Sequence, residues 1–263
     1  MNYRIYVCSS SGINNISHPS TIKSIPLILE PSLLESYLEN NELNIDMFYT
    51  RARFDKRYQR KVKKRSTEEI NEIIKKDKMD NMKIYILLSK FYSFEDANEL
   101  SNDNVYAFSY DLYGNALMSM ALSLNNSIMN NHENIFSDLN NEKNNYSSFY
   151  ILLKNDIEYK KNDYNIEIEI VKSLKKAKYY QISNGEFTSI NSNFDSLINP
   201  ILNTKNKVKV FIEYVNQKSN YISYIEKMIL SKNPMAVIKK IQISPSFFNI
   251  IGEKAIGVGY KKI

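Results

Sequence analysis

Apolar and polar positions in the first half of the chain alternate between two spacings. Short apolar runs, which are typical of buried strands, lie at residues 4–7, 24–29, 83–88 and 105–108. Residues 94–100 and 112–128 have the three-four apolar spacing of helices, and a further helix begins at Ser66, where Glu69 can complete a capping box. Strands that alternate with helices predict an α/β domain whose mostly parallel sheet is flanked by helices.

The second half of the chain has a different pattern, and the Asn-rich residues 125–145 separate it from the first. We predict two domains, an N-terminal α/β domain of residues 1–135 and a C-terminal α+β domain of residues 136–263 with a mixed sheet. The elements expected in the second domain are strands at 149–153, 208–215 and 236–243, a hairpin at 177–190 that turns at Asn184-Gly185, and a helix at 221–230.

Composition restricts the chemistry. Cys8 is the single cysteine, which excludes an intramolecular disulfide, and the two histidines, His18 and His132, match no zinc-ligand spacing. We therefore expect no catalytic residue, no metal and no cofactor. No run approaches the roughly 18 to 20 apolar residues of a membrane helix, and the first residues lack a signal sequence, so we expect a cytoplasmic protein.

Residues 51–65 form the most basic segment of the chain, with Tyr49, Phe54 and Tyr58 interleaved among the cations. The cations are Arg51, Arg53, Lys56, Arg57, Arg60, Lys61, Lys63, Lys64 and Arg65. We favour a surface helix here, and nucleic-acid binding with stacking on the aromatic rings is the alternative. Lys63, Lys64 and Arg65 directly precede a helix and are candidate contacts to a carboxylate or phosphate, although a solvated basic loop is the simpler interpretation.

Glycines are rare, yet three of the six, Gly252, Gly257 and Gly259, lie in the last dozen residues. The surrounding segment resembles the end of DegV family proteins, I-G-P-x-x-G-x-H-x-G-P-G-A-L-G, with Pro245, Gly252, Ala255 and Gly257 in register.

Further motifs resemble the DegV family in the same order along the chain. The segment from Val7 to Ile13 resembles T-D-S-S-S-D-L, Ile25-Pro26-Leu27 resembles V-P-L, Asp46-Met47-Phe48-Tyr49 resembles E-E-F-Y, Ser66-Thr67-Glu68-Glu69 resembles S-P-E-E, Leu88 to Ser93 resembles S-S-K-L-S-G, and the Asn184-Gly185 hairpin resembles L-x-x-x-D-G-K-I. Each match is short, and their collinearity over nearly the whole chain carries the resemblance.

The resemblance implies a bacterial, non-catalytic protein with the two-domain DegV-like fold. It implies that a fatty acid or other lipid is held between the domains and presented to a fatty acid kinase subunit. Site residues are implied at Ser9, Ser10, Ser89, Lys90, Asn249 and Gly252. For the serines after the first strand, a turn capped by their own hydroxyls is the alternative interpretation.

The residues expected to hold a ligand carboxylate depart from the family pattern. Val62 stands at the family's Thr, Ile250 at its His and Cys8 at its first-strand Asp. The sequence therefore predicts a retained scaffold with an altered head-group site. Two alternatives stay open, an interaction or nucleic-acid-binding module acting through residues 51–65 and, with no acid-base pair to support it, a small-molecule enzyme.

Overall fold

Two structural units make up the chain, and the first one includes a segment from near the C-terminus. The structure is a computed structural model that describes residues 2–39, 43–77, 81–153, 166–183, 186–204, 206–215 and 220–262. One unit comprises Met1–Lys143 and Ile243–Ile251, and the other comprises Asn144–Gln242 and Gly252–Ile263. The domain boundary expected after residue 135 stays a prediction.

The elements of both units are numbered in chain order. The strands are β1 (Tyr3–Cys8), β2 (Ile22–Ile25), β3 (Ile28–Ser32), β4 (Glu35–Leu38), β5 (Lys61–Lys63), β6 (Lys83–Leu88), β7 (Val105–Ser109), β8 (Ser147–Leu152), β9 (Lys178–Ser183), β10 (Glu186–Ile190), β11 (Val208–Tyr214), β12 (Val237–Gln242) and β13 (Ala255–Lys262). The helices are α1 (Ile45–Phe54), α2 (Thr67–Asp77), α3 (Phe94–Leu100), α4 (Gly114–Met129), α5 (Ile135–Asn145), α6 (Ile166–Lys176), α7 (Phe194–Leu202), α8 (Asn220–Lys232) and α9 (Pro245–Ile251).

A parallel sheet with the order β2-β1-β6-β7 lies at the centre of the first unit, which confirms the predicted α/β class. Ile5, Val7, Ile84 and Ile86 are fully buried in it. The chain leaves β1 toward β2 on one side, while β6 pairs on the other side. The carboxyl ends of β1 and β6 therefore flank a switch point, where open parallel sheets commonly bind ligands.

The strand predicted at residues 24–29 is wrong as one element, because the chain divides into β2 and β3 around Pro26 and Leu27. Proline has no N–H to donate to a ladder. The carbonyl of Pro26 accepts from Arg65 Nε at 3.0 Å, and the N–H of Leu27 donates to the Ser9 hydroxyl at 2.9 Å. β3 then pairs with β4 and β5 in a separate antiparallel sheet.

The basic residues 51–65 do not form the single surface helix that the sequence predicted. Helix α1 ends before Asp55, whose backbone is extended and whose carboxylate accepts the N–H of Arg57 at 2.9 Å. This local hydrogen bond favours a turn. Beyond the turn, Lys61–Lys63 form β5.

The second unit has a mixed sheet with the order β10-β9-β8-β13-β11-β12, as the sequence predicted. Its parallel pair is β11 with β12, and the other neighbours are antiparallel. Ile151, Ile212 and Val258 are fully buried in the core that α6, α7 and α8 cover. The expected hairpin strands are present, and the turn at Asn184-Gly185 lies outside the described residues.

Gly257 lies where two side chains from the neighbouring strands meet. It is in register with Glu213 on β11 and Tyr150 on β8, and the Tyr150 hydroxyl donates to Glu213 Oε2 at 3.1 Å. A Cβ at position 257 would lie 2.6 Å from that Oε2 and 2.7 Å from Tyr150 Cε1. The absence of a side chain at residue 257 therefore makes room for a buried polar pair.

We expect Gly257→Ala to lower the free energy of unfolding by about 1–3 kcal/mol, because the added methyl group overpacks the sheet. Urea denaturation followed by circular dichroism measures the change. Lys262→Ala, at the exposed end of the same strand, is the control and should shift stability by less than about 0.5 kcal/mol. Equal stability of Gly257→Ala and the wild type would contradict the expected clash.

Candidate functional site

Ser9 lies at the carboxyl end of β1, in a short 3-10 turn formed by Ser9–Ser11. Its side chain is buried and is fixed by two hydrogen bonds. The hydroxyl accepts from the N–H of Leu27 at 2.9 Å and donates to Glu39 Oε2 at 2.5 Å. Ser9 therefore links the first strand both to the residue preceding β3 and to a buried carboxyl group.

Glu39 is the feature of this site that sequence reasoning missed. It follows β4, its side chain is 3% exposed, and its N–H donates to the carbonyl of Leu27 at 2.9 Å. Glu39 Oε1 accepts from the N–H of Ser246 at 2.6 Å, and the hydroxyls of Ser244 and Ser246 also bond to the carboxyl group. A single glutamate beside an Asn-rich stretch gives no local signal of such distant partners.

Burial raises the pKa of Glu39 above its usual value of 4.5, and the hydrogen bonds from Ser246 and Ser9 oppose that rise. Transfer of a carboxylate out of water is costly, which explains why several donors converge on this one. Burial raises the pKa of the nearby Cys8 thiol, and electrostatic repulsion from Glu39 adds to that rise.

Cys8 brings two predicted site residues together. Ser10 Oγ lies 3.3 Å and Ser89 Oγ lies 3.1 Å from Cys8 Sγ, and all three side chains are buried. Burial raises the pKa of the Cys8 thiol, which disfavours the reactive thiolate. At this point the carboxyl ends of β1 and β6 are therefore joined by a neutral thiol and two hydroxyls.

The other predicted ligand contacts have internal partners or lie in the other unit. Lys90 Nζ pairs with Asp111 at 2.9 Å on the surface. Asn249 is buried, and its Oδ1 accepts from the hydroxyl of Tyr58. Gly252 has a φ of 86° and belongs to the second unit.

The three predicted anion contacts are each bonded within the chain. Lys63 pairs with Glu30 at 2.5 Å and Lys64 pairs with Asp96 at 2.5 Å. The Arg65 side chain donates to the carbonyl of Pro26. The two lysines therefore form ion pairs with neighbouring acids, and Arg65 stabilises the turn at Pro26.

A small cavity adjoins Ser9 and Glu39. Its volume is about 10 Å³, which is room for roughly one water molecule. It is lined by Ser9, Gly12, Asn14, Asn15, Glu39, Leu43, Ile45, Ser244 and Pro245.

A larger groove of about 450 Å³ lies between the three-stranded sheet and α1. It is lined by Pro31, Ser36, Tyr37, Leu38, Leu43, Asn44, Met47, Phe48, Arg51 and Tyr58, so Leu43 borders both spaces. The guanidinium of Arg51 is held by Glu35 through two hydrogen bonds of 2.9 and 2.7 Å. The volume and the mainly apolar lining fit a small-molecule site.

The described ranges contain no group of three or more His, Cys, Asp or Glu side chains arranged to hold a metal ion. Among these residues, none of the helices combines the length and the apolar character that crossing a bilayer requires.

We expect Ser9→Ala to lower the free energy of unfolding by about 1–3 kcal/mol, because Leu27 N–H and Glu39 Oε2 lose a buried partner. Urea denaturation measures this loss. Ser10→Ala is the matched control: its hydroxyl bonds to the weak acceptor Cys8 Sγ, so the loss should be smaller. A loss for Ser10→Ala as large as that for Ser9→Ala would contradict this ranking.

We expect a pH dependence that Glu39→Gln removes. The folded pKa of Glu39 lies above the unfolded value, so its contribution to stability is full below about pH 4.5 and is lost as pH rises through the folded pKa. The stability of the wild type minus that of Glu39→Gln should therefore fall toward neutral pH, by about 1.4 kcal/mol per unit of pKa shift. Urea denaturation across this pH range tests it.

Glu72→Gln, which makes the same change of charge on an exposed face of α2, is the control and should follow the wild type at each pH. A constant difference between the wild type and Glu39→Gln would show that Glu39 does not have a raised pKa.

Comparisons with known proteins place the fold. No protein-family model and no curated protein matches the sequence. Solved structures do match: a DegV lipid-binding protein from Thermotoga maritima has 17% identity and a TM-score of 0.74, covering 100% of this chain and 99% of that one. The fatty acid kinase (Fak) B3 protein of Streptococcus pneumoniae, loaded with linoleic acid, has 14% identity and a TM-score of 0.73. DegV from Bacillus subtilis, a fatty acid binding protein, has 15% identity and a TM-score of 0.72, and both of these matches cover 100% of each chain. The chain therefore has the two-domain fold of the DegV proteins, as the sequence predicted.

Proposed function

We propose that the chain is a DegV-like lipid-binding protein that holds an acyl chain in the groove between α1 and the three-stranded sheet. The observation that carries the proposal is this groove, about 450 Å³ and mainly apolar, on a fold whose solved relatives bind fatty acids. Each buried methylene of a ligand contributes about 0.8 kcal/mol, so a long chain gains affinity from the lining alone.

The head group lies toward Ser9 and Glu39 in this proposal. Leu43 borders both the groove and the small cavity, so it marks the route from the acyl chain to the polar residues. Ser9, Ser10, Ser89 and Asn249 remain proposed contacts, and the side chains of Ser10, Ser89 and Asn249 exchange an internal hydrogen bond for one to the ligand. Lys90, Gly252, Lys63, Lys64 and Arg65 have less support, because the lysines and Arg65 are bonded elsewhere and Gly252 lies in the other unit.

We propose that binding occurs without catalysis by this chain. The most nucleophilic side chain near the site is the Cys8 thiol, which is fully buried and has a raised pKa. The likeness to the Streptococcus pneumoniae fatty acid kinase B3 protein supports a kinase subunit as the partner that uses the bound lipid.

The basic segment gives the nucleic-acid alternative less support. Most of its cations are engaged by acids, including Arg51 by Glu35, Arg57 by Asp55 and Lys61 by Glu30. Such engaged cations have fewer hydrogen-bond donors to offer to phosphates than a solvated basic face has.

We expect native mass spectrometry of the purified protein to detect a bound acyl lipid, either carried from expression or added as dodecanoic acid or 1-dodecanol. Met47→Asp should weaken binding at least tenfold, because it places a charge in the apolar groove. Met235→Asp is the matched control, since Met47 and Met235 are 63% and 58% exposed and Met235 lies in the other unit. The absence of any bound lipid, or an equal loss in both variants, would refute the proposal.

A further inference from the structure

The donors that a ligand carboxylate would require are already used by a carboxyl group of the chain itself. Glu39 accepts from the hydroxyl of Ser9, from the N–H of Ser246 and from the hydroxyls of Ser244 and Ser246. A carboxylate has about four lone-pair sites, so these donors leave few sites for a further one. Ser9, a residue that the resemblance assigns to a ligand head group, therefore donates its hydrogen bond to the chain's own acid.

The described lining of the small cavity offers no positive charge to offset this acid. Among the described residues that form the cavity, none is a lysine, arginine or histidine. Lys63 is held by Glu30 and Lys64 by Asp96, and the guanidinium of Arg60 lies over the ring of Phe248. Arg51 of the adjoining groove is held by Glu35 and lies 3.6 Å from Asp55. A ligand carboxylate beside Glu39 would therefore bring a second acidic group into a buried place, with no counterion among the described residues that line it.

We propose that Glu39 determines head-group selectivity, so that the site takes a long-chain lipid with an uncharged, hydrogen-bond-donating head group in preference to a fatty acid anion. The proposal deepens the lipid-binding function and rests on it. A primary alcohol is the simplest member of this class.

The serines beside Glu39 allow such a head group to bind. Ser244 Oγ and Ser246 Oγ lie 3.4 Å apart, and either can donate to the other. One of these hydroxyls can therefore turn away from Glu39 and leave a lone pair for a ligand O–H. The N–H of Ser246 and the hydroxyl of Ser9 keep their bonds to the carboxyl group in this exchange.

The size of the cavity favours the same class. At about 10 Å³ it has room for one water-sized group, such as a hydroxyl, whereas a carboxylate brings two oxygen atoms. The acyl chain then extends past Leu43 into the groove.

A competition between 1-dodecanol and dodecanoate, which differ only in the head group, tests the selectivity. The wild type is incubated with both ligands at equal concentration at neutral pH, and native mass spectrometry measures the ratio of the two complexes. We expect the alcohol complex to exceed the carboxylate complex at least tenfold, equivalent to about 1.4 kcal/mol. Glu39→Gln, which keeps the shape and removes the acidic group, should reduce or reverse the ratio, and Glu72→Gln should leave it unchanged.

The outcomes separate the two proposals. Binding of dodecanoate by the wild type as tight as that of dodecanol, or an unchanged ratio in a folded Glu39→Gln, overturns the selectivity and leaves lipid binding intact. Absence of both complexes in the wild type overturns lipid binding itself. The wild-type ratio decides the question even where circular dichroism shows that Glu39→Gln does not fold.

Discussion

The hydrogen bonds around the Glu39 carboxyl group are the constraint on which the first unit depends. They join the end of β1 through Ser9, the residue after β4 through Glu39 itself, and the beginning of α9 through Ser246. Leu27 adds two further bonds, one to the Ser9 hydroxyl and one to the backbone of Glu39. A buried carboxyl group is costly to leave unpaired, so each partner restricts where the others can lie.

The same constraint explains how a retained scaffold accommodates an altered site. Val62 and Ile250 supply no polar group at the positions that the resemblance assigns to ligand partners. Val62 instead pairs in β5 with Leu29 of β3, and Ile250 is 38% exposed on α9. The buried polar groups of this region are instead Glu39 and the serines that surround it.

The local sequence pattern was sufficient to predict elements whose structure depends on residues close by in the sequence. The continuous apolar run of β6 and the capping box at Ser66 and Glu69 were predicted to the residue. The apolar pattern wrongly predicted one strand across Pro26. Pro26 has no N–H for a ladder, and its carbonyl accepts a hydrogen bond from Arg65, so the strand is broken there. The resemblance, rather than the pattern, proposed Ser10 and Ser89 as site residues, and neither could reveal Glu39, whose partners lie 30 and 207 positions away in sequence.

The long reach of the Glu39 hydrogen bonds has a consequence for biosynthesis. Residues 243–251 belong to the first unit, although the chain that precedes and follows them belongs to the second. Ser246 leaves the ribosome 207 residues after Glu39, which at about 5–20 residues per second is a delay of roughly 10–40 s. During translation the emerging first unit therefore holds a carboxyl group without its final donor, and the unit cannot be completed until the segment that carries Ser246 has been made.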